Sequence, residues 1–336
     1  MTLRIAIVGT GKVARDNYLP FLAAQPDVTL AYWNRTLATA RDIAATFGGD
    51  VCTSLADVAA WKPTAALVLT SETARYAVGQ ELIERGVPKL FFEKPLFAAL
   101  GQAQVTPDDF AKGRIMLALA RELGCETAMV FNYRFFEQTE AAKRIIADRK
   151  FGPLINAVGL VHYACWSHCI DLVQYFGGSI AEIAALSGTI AHSGPTVKID
   201  ARDVTAALVL ESGATATLIG TAGMAWQHPL YELVLSFQNG RLHLRDLDGT
   251  LEILDSASQM RETQSISRHT SRWDQYAASF RKSLDAYLDS LRNGQPPPVP
   301  GIDGLRELQI EAALKWSIEQ RRPVRLEEEF PCAWLR

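Results

Sequence analysis

The ten residues Ile5 to Ala14, IAIVGTGKVA, limit what this chain can fold into more than any other stretch. Ile5-Ala6-Ile7-Val8 is an unbroken apolar run, the pattern of a strand buried on both faces. Gly9-Thr10-Gly11-Lys12-Val13-Ala14 follows as G-x-G-x-x-A and leads into a helical pattern. The first glycine permits a tight turn, the second leaves room for a pyrophosphate against the backbone, and small Ala14 lets helix and strand approach. Free N–H groups at the helix start would receive the phosphates. A plain glycine turn is the alternative reading. The strand–turn–helix setting favours a dinucleotide cradle made by Gly9, Thr10, Gly11, Lys12 and Val13.

The following segments extend this unit. Lys12 to Ala24 reads as a helix and Val28 to Trp33 as a second strand, ended by Asn34-Arg35-Thr36. Asn34 stands where a fold selecting NAD would usually carry an acid for the ribose 2′-hydroxyl. Asn34 and Thr36 can donate to a 2′-phosphate and Arg35 can pair with it, so the segment favours NADP(H) over NAD(H). An ordinary strand-end turn with a solvated arginine is the alternative. Leu37 to Phe47 is a helix, Thr64 to Leu69 a buried strand ending in Thr70-Ser71-Glu72, and Thr73 to Arg85 a helix. Lys89 to Phe92 is a strand ending in Glu93-Lys94-Pro95. Alternating strands and helices give right-handed crossovers and a parallel sheet. The glycine turn, Asn34 to Thr36, Thr70 to Arg75 and Glu93 to Pro95 then share the carboxyl edge, where an open α/β sheet binds its ligand. Thr70, Ser71, Glu72, Arg75, Glu93 and Lys94 join the candidate cofactor contacts.

Gly101 to Lys112 reads as a polar surface loop, with Asp108 as a candidate cap for a helix ending at Leu123. Glu126 to Phe131 is one more strand. Near Asn132 the alternation stops. Strands Ile155 to Tyr163, Ile183 to Ile190, Val204 to Leu210, Ala214 to Ile219, Leu230 to Phe237, Arg241 to Leu247 and Leu251 to Leu254 succeed one another. The turns between the later ones suit hairpins. Trp273 to Leu291 and Gly304 to Gln320 read as long helices, and the tail returns through Val324. The expectation is two domains, 1–131 and 132–336. The chain has a net charge of −3 with no basic block, which disfavours nucleic acid or an anionic membrane as the main partner. No apolar run reaches the ~18 residues of a spanning helix, and no export signal is recognisable. Five cysteines, an odd number, do not make a disulfide framework, and a reducing cytoplasm is the simplest expectation.

The glycine turn, Glu93-Lys94-Pro95 at a late strand end, Asn132-Tyr133-Arg134-Phe135 at the junction and His168-Cys169-Ile170-Asp171 as H-x-x-D resemble the Gfo/Idh/MocA family across nearly the whole chain. The resemblance implies an α/β protein: an N-terminal Rossmann doubly wound parallel sheet, then a C-terminal α+β domain with a large, mostly antiparallel open sheet. It implies NAD(P)-dependent oxidoreduction of sugars, cyclitols and related polyols. It also implies a cis Lys94–Pro95 bond, and a homodimer or homotetramer. Its usual site has the E-K-P lysine, a histidine, and an aspartate four residues before that histidine. Carried over, these are Lys94, His168 and position 164, which is Ala164 here. Many members place a histidine where this chain has Arg75.

Hydride transfer needs a group to hold the reacting oxygen and another to exchange its proton. Lys94 suits the first role and His168 the second, because imidazole titrates near neutral pH. The alternatives are a solvated lysine and a structural histidine. Tyr163, Asp171 and Arg134 are weaker substrate-binding candidates. Arg134 could equally form a salt bridge at the junction. His162, Cys165, His168 and Cys169 fall close together, but their spacing suits zinc poorly, and no metal is expected. Trp166, Trp226 and His228 are either pocket walls or core. Two other readings stay open: a redox-neutral sugar-modifying enzyme with tightly bound NAD(P), and a non-catalytic NADP-sensing regulator. The missing aspartate at position 164 favours the regulator.

Overall fold

The structure is a computed structural model that describes residues 2–194, 199–225, 227–258, 260–267 and 271–332. The chain divides into two compact units. The first holds residues 2–131 with Phe280–Leu308 and Cys332; the second holds Asn132–Ser279 and Gln309–Pro331.

The first unit is built on a six-stranded parallel sheet: β1 Leu3–Val8, β2 Val28–Trp33, β3 Asp50–Val51, β4 Ala65–Val68, β5 Lys89–Phe92 and β6 Glu126–Met129. Their order is β3-β2-β1-β4-β5-β6, the doubly wound Rossmann arrangement that the glycine turn required. Every β1 residue except Arg4 is buried, because helices cover both faces of such a sheet. After the glycine turn the expected helix forms, but over Ala14–Tyr18 it widens to a π turn before continuing as Leu19–Leu22. Pro20 follows this turn. It has no N–H to offer, and its ring crowds the carbonyl four residues back, a strain that a wider turn relieves.

Two features escape periodicity. The two-residue β3 follows Gly48 and Gly49, both at positive φ. The six-residue helix Leu55–Ala60 is held by a capping box between Ser54 and Asp57. The helix Pro107–Glu122 begins inside the stretch read as a loop. Its cap is Thr106 with Asp109, not Asp108, which pairs instead with Lys112.

A single division after residue 131 does not describe Phe280–Leu308, which packs within the first unit. Phe280, Leu284, Tyr287, Leu288 and Leu291 form one buried helical stripe. Phe280 meets the Tyr18 ring at 5.3 Å and Tyr287 meets Phe91 at 4.9 Å. Arg292 holds Asp27 through two 2.9 Å hydrogen bonds. A Cβ on Gly304 would lie 2.6 Å from the Met129 sulfur, so the small residue lets the start of helix Gly301–Gln320 lie directly on β6.

The second unit carries a nine-stranded sheet of β7 Leu154–His162, β8 Ile180–Ser193, β9 Asp200–Leu210, β10 Thr215–Thr221, β11 Tyr231–Phe237, β12 Gly240–Arg245, β13 Leu251–Asp255, β14 Met260–Gln264 and β15 Val324–Arg325. The order is β14-β13-β12-β11-β7-β10-β9-β8-β15. Among the described residues of this sheet only β7 and β10 pair in parallel, so the mostly antiparallel expectation holds. On β7, Ala157, Gly159 and Val161 face inward, while Val158 and Leu160 face solvent. The inner face receives the helix Trp166–Gly177: a Cβ on Gly220 would press the Trp166 ring at 2.8 Å. The helix Glu137–Asp148, absent from the sequence reading, also belongs here.

Candidate functional site

Strand register creates the nucleotide edge of the first unit. Val8 is aligned with Trp33 on one side and Val68 on the other, Val68 with Phe92, and Phe92 with Met129. The next residues along four adjacent strands, Asn34, Gly9, Leu69 and Glu93, therefore end in one row. Four segments separated in sequence thus reach the carboxyl edge together.

Gly9 has φ +100, and a Cβ there would lie 2.6 Å from the Thr70 nitrogen and 2.8 Å from the Leu69 carbonyl carbon. No larger residue fits. Among the described residues, nothing lies within 4 Å of the Cβ position of Gly11, which is the open space a pyrophosphate needs. Thr10 is fully buried, and the hydroxyl oxygens of Thr10 and Thr70 are buried with no partner among the described residues. Buried hydroxyls are normally hydrogen-bonded, so the donor set at this edge fits a dinucleotide. Lys12 projects into solvent and pairs with Asp16; Val13 is also exposed.

Asn34 braces the turn. Its Oδ1 accepts from the Thr10 backbone N–H at 3.2 Å and its Nδ2 donates to the Thr36 carbonyl at 3.1 Å. Arg35 and Thr36 are exposed beside it. On the next loop, Ser71 and Thr73 hydroxyls bond each other at 3.1 Å, and Glu72 Oε1 accepts from the Gln102 N–H at 3.3 Å.

Arg75 is 4% exposed. Its guanidinium donates to the carbonyls of Glu93 and Thr70, each at 2.8 Å, and to that of Pro95. Burial pulls its pKa down, opposed by the carboxylates of Glu93 and Glu72. Expected among cofactor contacts, Arg75 instead binds the protein's own backbone. The Lys94–Pro95 bond is cis, as the resemblance implied. Glu93 accepts from the Tyr18 hydroxyl at 2.7 Å and from the Lys94 N–H at 2.9 Å. The Lys94 ammonium donates to Gln102 Oε1 at 3.3 Å. Sequence reasoning missed Tyr18 and Gln102, since neither belongs to a recognisable motif.

In the second unit a 3₁₀ turn, Asn132–Phe135, grips the helix Trp166–Gly177. The Tyr133 ring lies flat on His168, centroids 4.0 Å apart and planes 4° apart, and its hydroxyl donates to Cys165 Sγ at 3.0 Å. Burial, then the neighbouring Cys165, push the Tyr133 pKa well up. Arg134 grips Asp171 through Nε at 2.8 Å and through Nη2. Two residues expected to meet substrate thus bind each other, which is the salt-bridge alternative for Arg134. The Tyr163 hydroxyl donates to the Arg202 carbonyl at 2.7 Å. His168 is 1% exposed.

His162 is fully buried and its Nδ1 accepts from the Ala164 N–H at 3.0 Å; burial lowers its pKa. The His228 carbonyl accepts from Arg272 at 3.4 Å. Trp226 lies outside the described residues. Among the described residues no group of three or more His, Cys, Asp or Glu side chains is placed to hold a metal ion, and no helix is long and apolar enough to cross a membrane.

The Gfo/Idh/MocA family, described as "Oxidoreductase family, NAD-binding Rossmann fold", matches residues 3–128. A myo-inositol 2-dehydrogenase of Thermotoga maritima is 23% identical over 259 residues, covering 71% of this chain and 73% of that protein. The fold is shared with an oxidoreductase from Agrobacterium radiobacter solved with NAD+, L-tartaric acid and magnesium. That structure has a TM-score of 0.81 at 15% identity, over 98% of this chain and 99% of the other. It is shared also with UDP-N-acetylglucosamine 3-dehydrogenase from Acidithiobacillus ferrooxidans, with a TM-score of 0.74 at 16% identity over 95% and 99%.

Proposed function

We infer from the match of residues 3–128 that this chain is a member of the Gfo/Idh/MocA oxidoreductase family. From that premise we propose an NADP(H)-dependent oxidoreductase that moves a hydride to or from an oxygen-bearing carbon of a sugar, cyclitol or related polyol. The observation that carries the proposal is the row of strand ends. It brings an open glycine cradle, two buried hydroxyls without a partner among the described residues, and the Glu93–Lys94–Pro95 turn to one edge of one sheet. The myo-inositol and UDP-N-acetylglucosamine dehydrogenases among its relatives support the substrate class.

Gly9 to Val13 would hold the pyrophosphate, with Thr10 and Thr70 offering hydroxyls. Arg35 and Thr36 would meet a 2′-phosphate, because both are exposed and Asn34 replaces the acid that would repel it. The nicotinamide, when bound, supplies or accepts the hydride. Lys94 hydrogen-bonds the reacting oxygen and stabilises charge on it. His168 exchanges the proton, with Tyr133 and the Arg134–Asp171 pair orienting its helix.

A second reading, an NADP-binding protein without turnover, is favoured by the burial of His168 and by Ala164. Titration with NADPH and NADH, followed by energy transfer from tryptophan, should give at least about tenfold tighter NADPH binding. A preference for NADH would overturn the cofactor choice alone. A screen of sugars and cyclitols should then reveal turnover that Lys94→Ala lowers by about a hundredfold or more without loss of cofactor. Turnover untouched by Lys94→Ala would sink the assignment of Lys94, and binding without turnover on any of them would favour the second reading.

A further inference from the structure

The geometry points to Arg75 and Tyr18 as positioning residues that together set where Lys94 presents its ammonium group. This rests on the reading of Lys94 as the group that holds the reacting oxygen.

The turn Glu93-Lys94-Pro95 has two backbone carbonyls flanking Lys94, one amide at Lys94 and one carboxylate before it. Arg75 takes both carbonyls, and its second Nη reaches Thr70 O on the neighbouring strand end. Glu93 takes the Lys94 amide with one oxygen and the Tyr18 hydroxyl with the other. Arg75, Tyr18 and Glu93 are all buried, so these bonds do not compete with bulk water and are correspondingly strong. Only a guanidinium presents several fixed donors in one plane. Lysine is a point charge on a flexible stem, and an imidazole has two ring nitrogens, so neither could span the same three oxygens. The buried cation is balanced by the nearby carboxylates of Glu93 and Glu72, which answers the cost of an unpaired charge.

Tyr18 closes the π turn that follows the glycine motif. The helix that starts at the nucleotide cradle therefore ends its first turns on the carboxylate that holds Lys94. Arg75 makes the matching link from Thr70, whose backbone lies against Gly9. The cradle and the lysine are braced to each other by two routes, and Arg75 and Tyr18 are both buried away from the solvent through which substrate arrives.

The test reads Lys94 directly and needs no substrate. Site-resolved labelling of the folded chain with acetic anhydride, from about pH 8 to 11 so as to span ordinary lysine titration, yields a rate–pH curve for each lysine by mass spectrometry. Tyr18→Phe keeps the ring packing against Phe91 and Phe280 and removes only the hydroxyl. Arg75→Ala removes the fork. Both should change the Lys94 labelling rate by about threefold or more, the scale of one lost buried hydrogen bond, and leave Lys12, Lys89 and Lys112 unchanged. Low-millimolar guanidinium should restore the wild-type Lys94 curve in Arg75→Ala, and equal ammonium should not. A wild-type Lys94 curve in Tyr18→Phe would overturn the proposal, as would an equal change at the reference lysines or no rescue by guanidinium. If Arg75→Ala does not fold, Tyr18→Phe decides. Failure of the oxygen-holding role would show separately, as turnover retained in Lys94→Ala.

Discussion

Gly9 and Gly11 have different reasons to be glycine, and substitution separates them. Gly9 is in the left-handed region with the Thr70 backbone pressed against its Cβ position. Neither backbone can give way, because both continue directly from paired strands. Gly9→Ala should therefore destabilise the apo protein by roughly 2 kcal/mol or more, combining strained φ with overpacking. Gly11 has free space where its side chain would be. Gly11→Ala should leave apo stability within about 0.5 kcal/mol yet weaken NAD(P)H binding about tenfold or more, because the methyl group enters the pyrophosphate space. Urea unfolding and cofactor titration measure the two effects separately. Equal affinity in Gly11→Ala would show that the phosphates lie elsewhere. Both glycines were legible in the motif. The roles of Arg75 and Asn34 were not, since a sequence does not say whether a polar group faces a ligand or a neighbouring carbonyl.

The junction between β7 and the helix Trp166–Gly177 turns on His162. Its ring accepts from Ala164 N and so caps the short turn Tyr163–Cys165. Burial keeps it neutral, with a pKa below the ordinary 6.5. Neutral imidazole is what the folded state requires, so its contribution is fully present above pH 6.5 and is lost as pH falls from 6.5 towards the lowered folded value. Protonation would also remove the acceptor that the turn uses. Unfolding free energy should fall over that window with an extra slope of at most about 1.4 kcal/mol per pH unit. His162→Asn, which keeps an acceptor and does not titrate, should flatten it. Parallel slopes for wild type and variant in urea titrations would refute the assignment. The strand expected over Ile155 to Tyr163 forms within a residue at each end, because an alternating run carries its own signal, whereas the sequence sets no bounds for the helix Trp166–Gly177. Sequence reading passed over Glu137–Asp148 and Leu55–Ala60, the latter a short helix set by its Ser54 cap.

At the scale of the whole molecule, we propose that the outer face of the nine-stranded sheet is where a second copy of the chain docks. Val158, Leu160, Leu186, Val209 and Ile219 are all exposed on it. Register places Leu160 beside Ile219 and Leu186 beside Thr205 across neighbouring strands. Exposed apolar side chains grouped on one sheet face, here interleaved with threonines such as Thr205, suit an association surface, and a second copy of the same face would cover it symmetrically. Light scattering should give two or four times the 37.0 kDa of one chain. The double substitution Leu160→Glu with Ile219→Glu should shift that mass to the monomer and leave NAD(P)H binding intact. A monomeric wild-type protein would remove this surface from consideration.

By itself the sequence determined the parallel sheet, its glycine cradle, the Glu93–Lys94–Pro95 turn and the change to antiparallel pairing after Asn132. Each depends on local periodicity or on a residue type that few backbone conformations accept. Tertiary structure alone decided that Phe280–Leu308 packs within the first unit, that Arg134 and Asp171 bind each other, and that Arg75 serves the Lys94 turn. Those outcomes depend on which distant groups arrive within hydrogen-bonding reach. Arg134 and Asp171 lie 37 residues apart, and Tyr18 and Glu93 lie 75 apart. No local pattern encodes such a meeting; it follows from the register of strands and the burial that folding imposes.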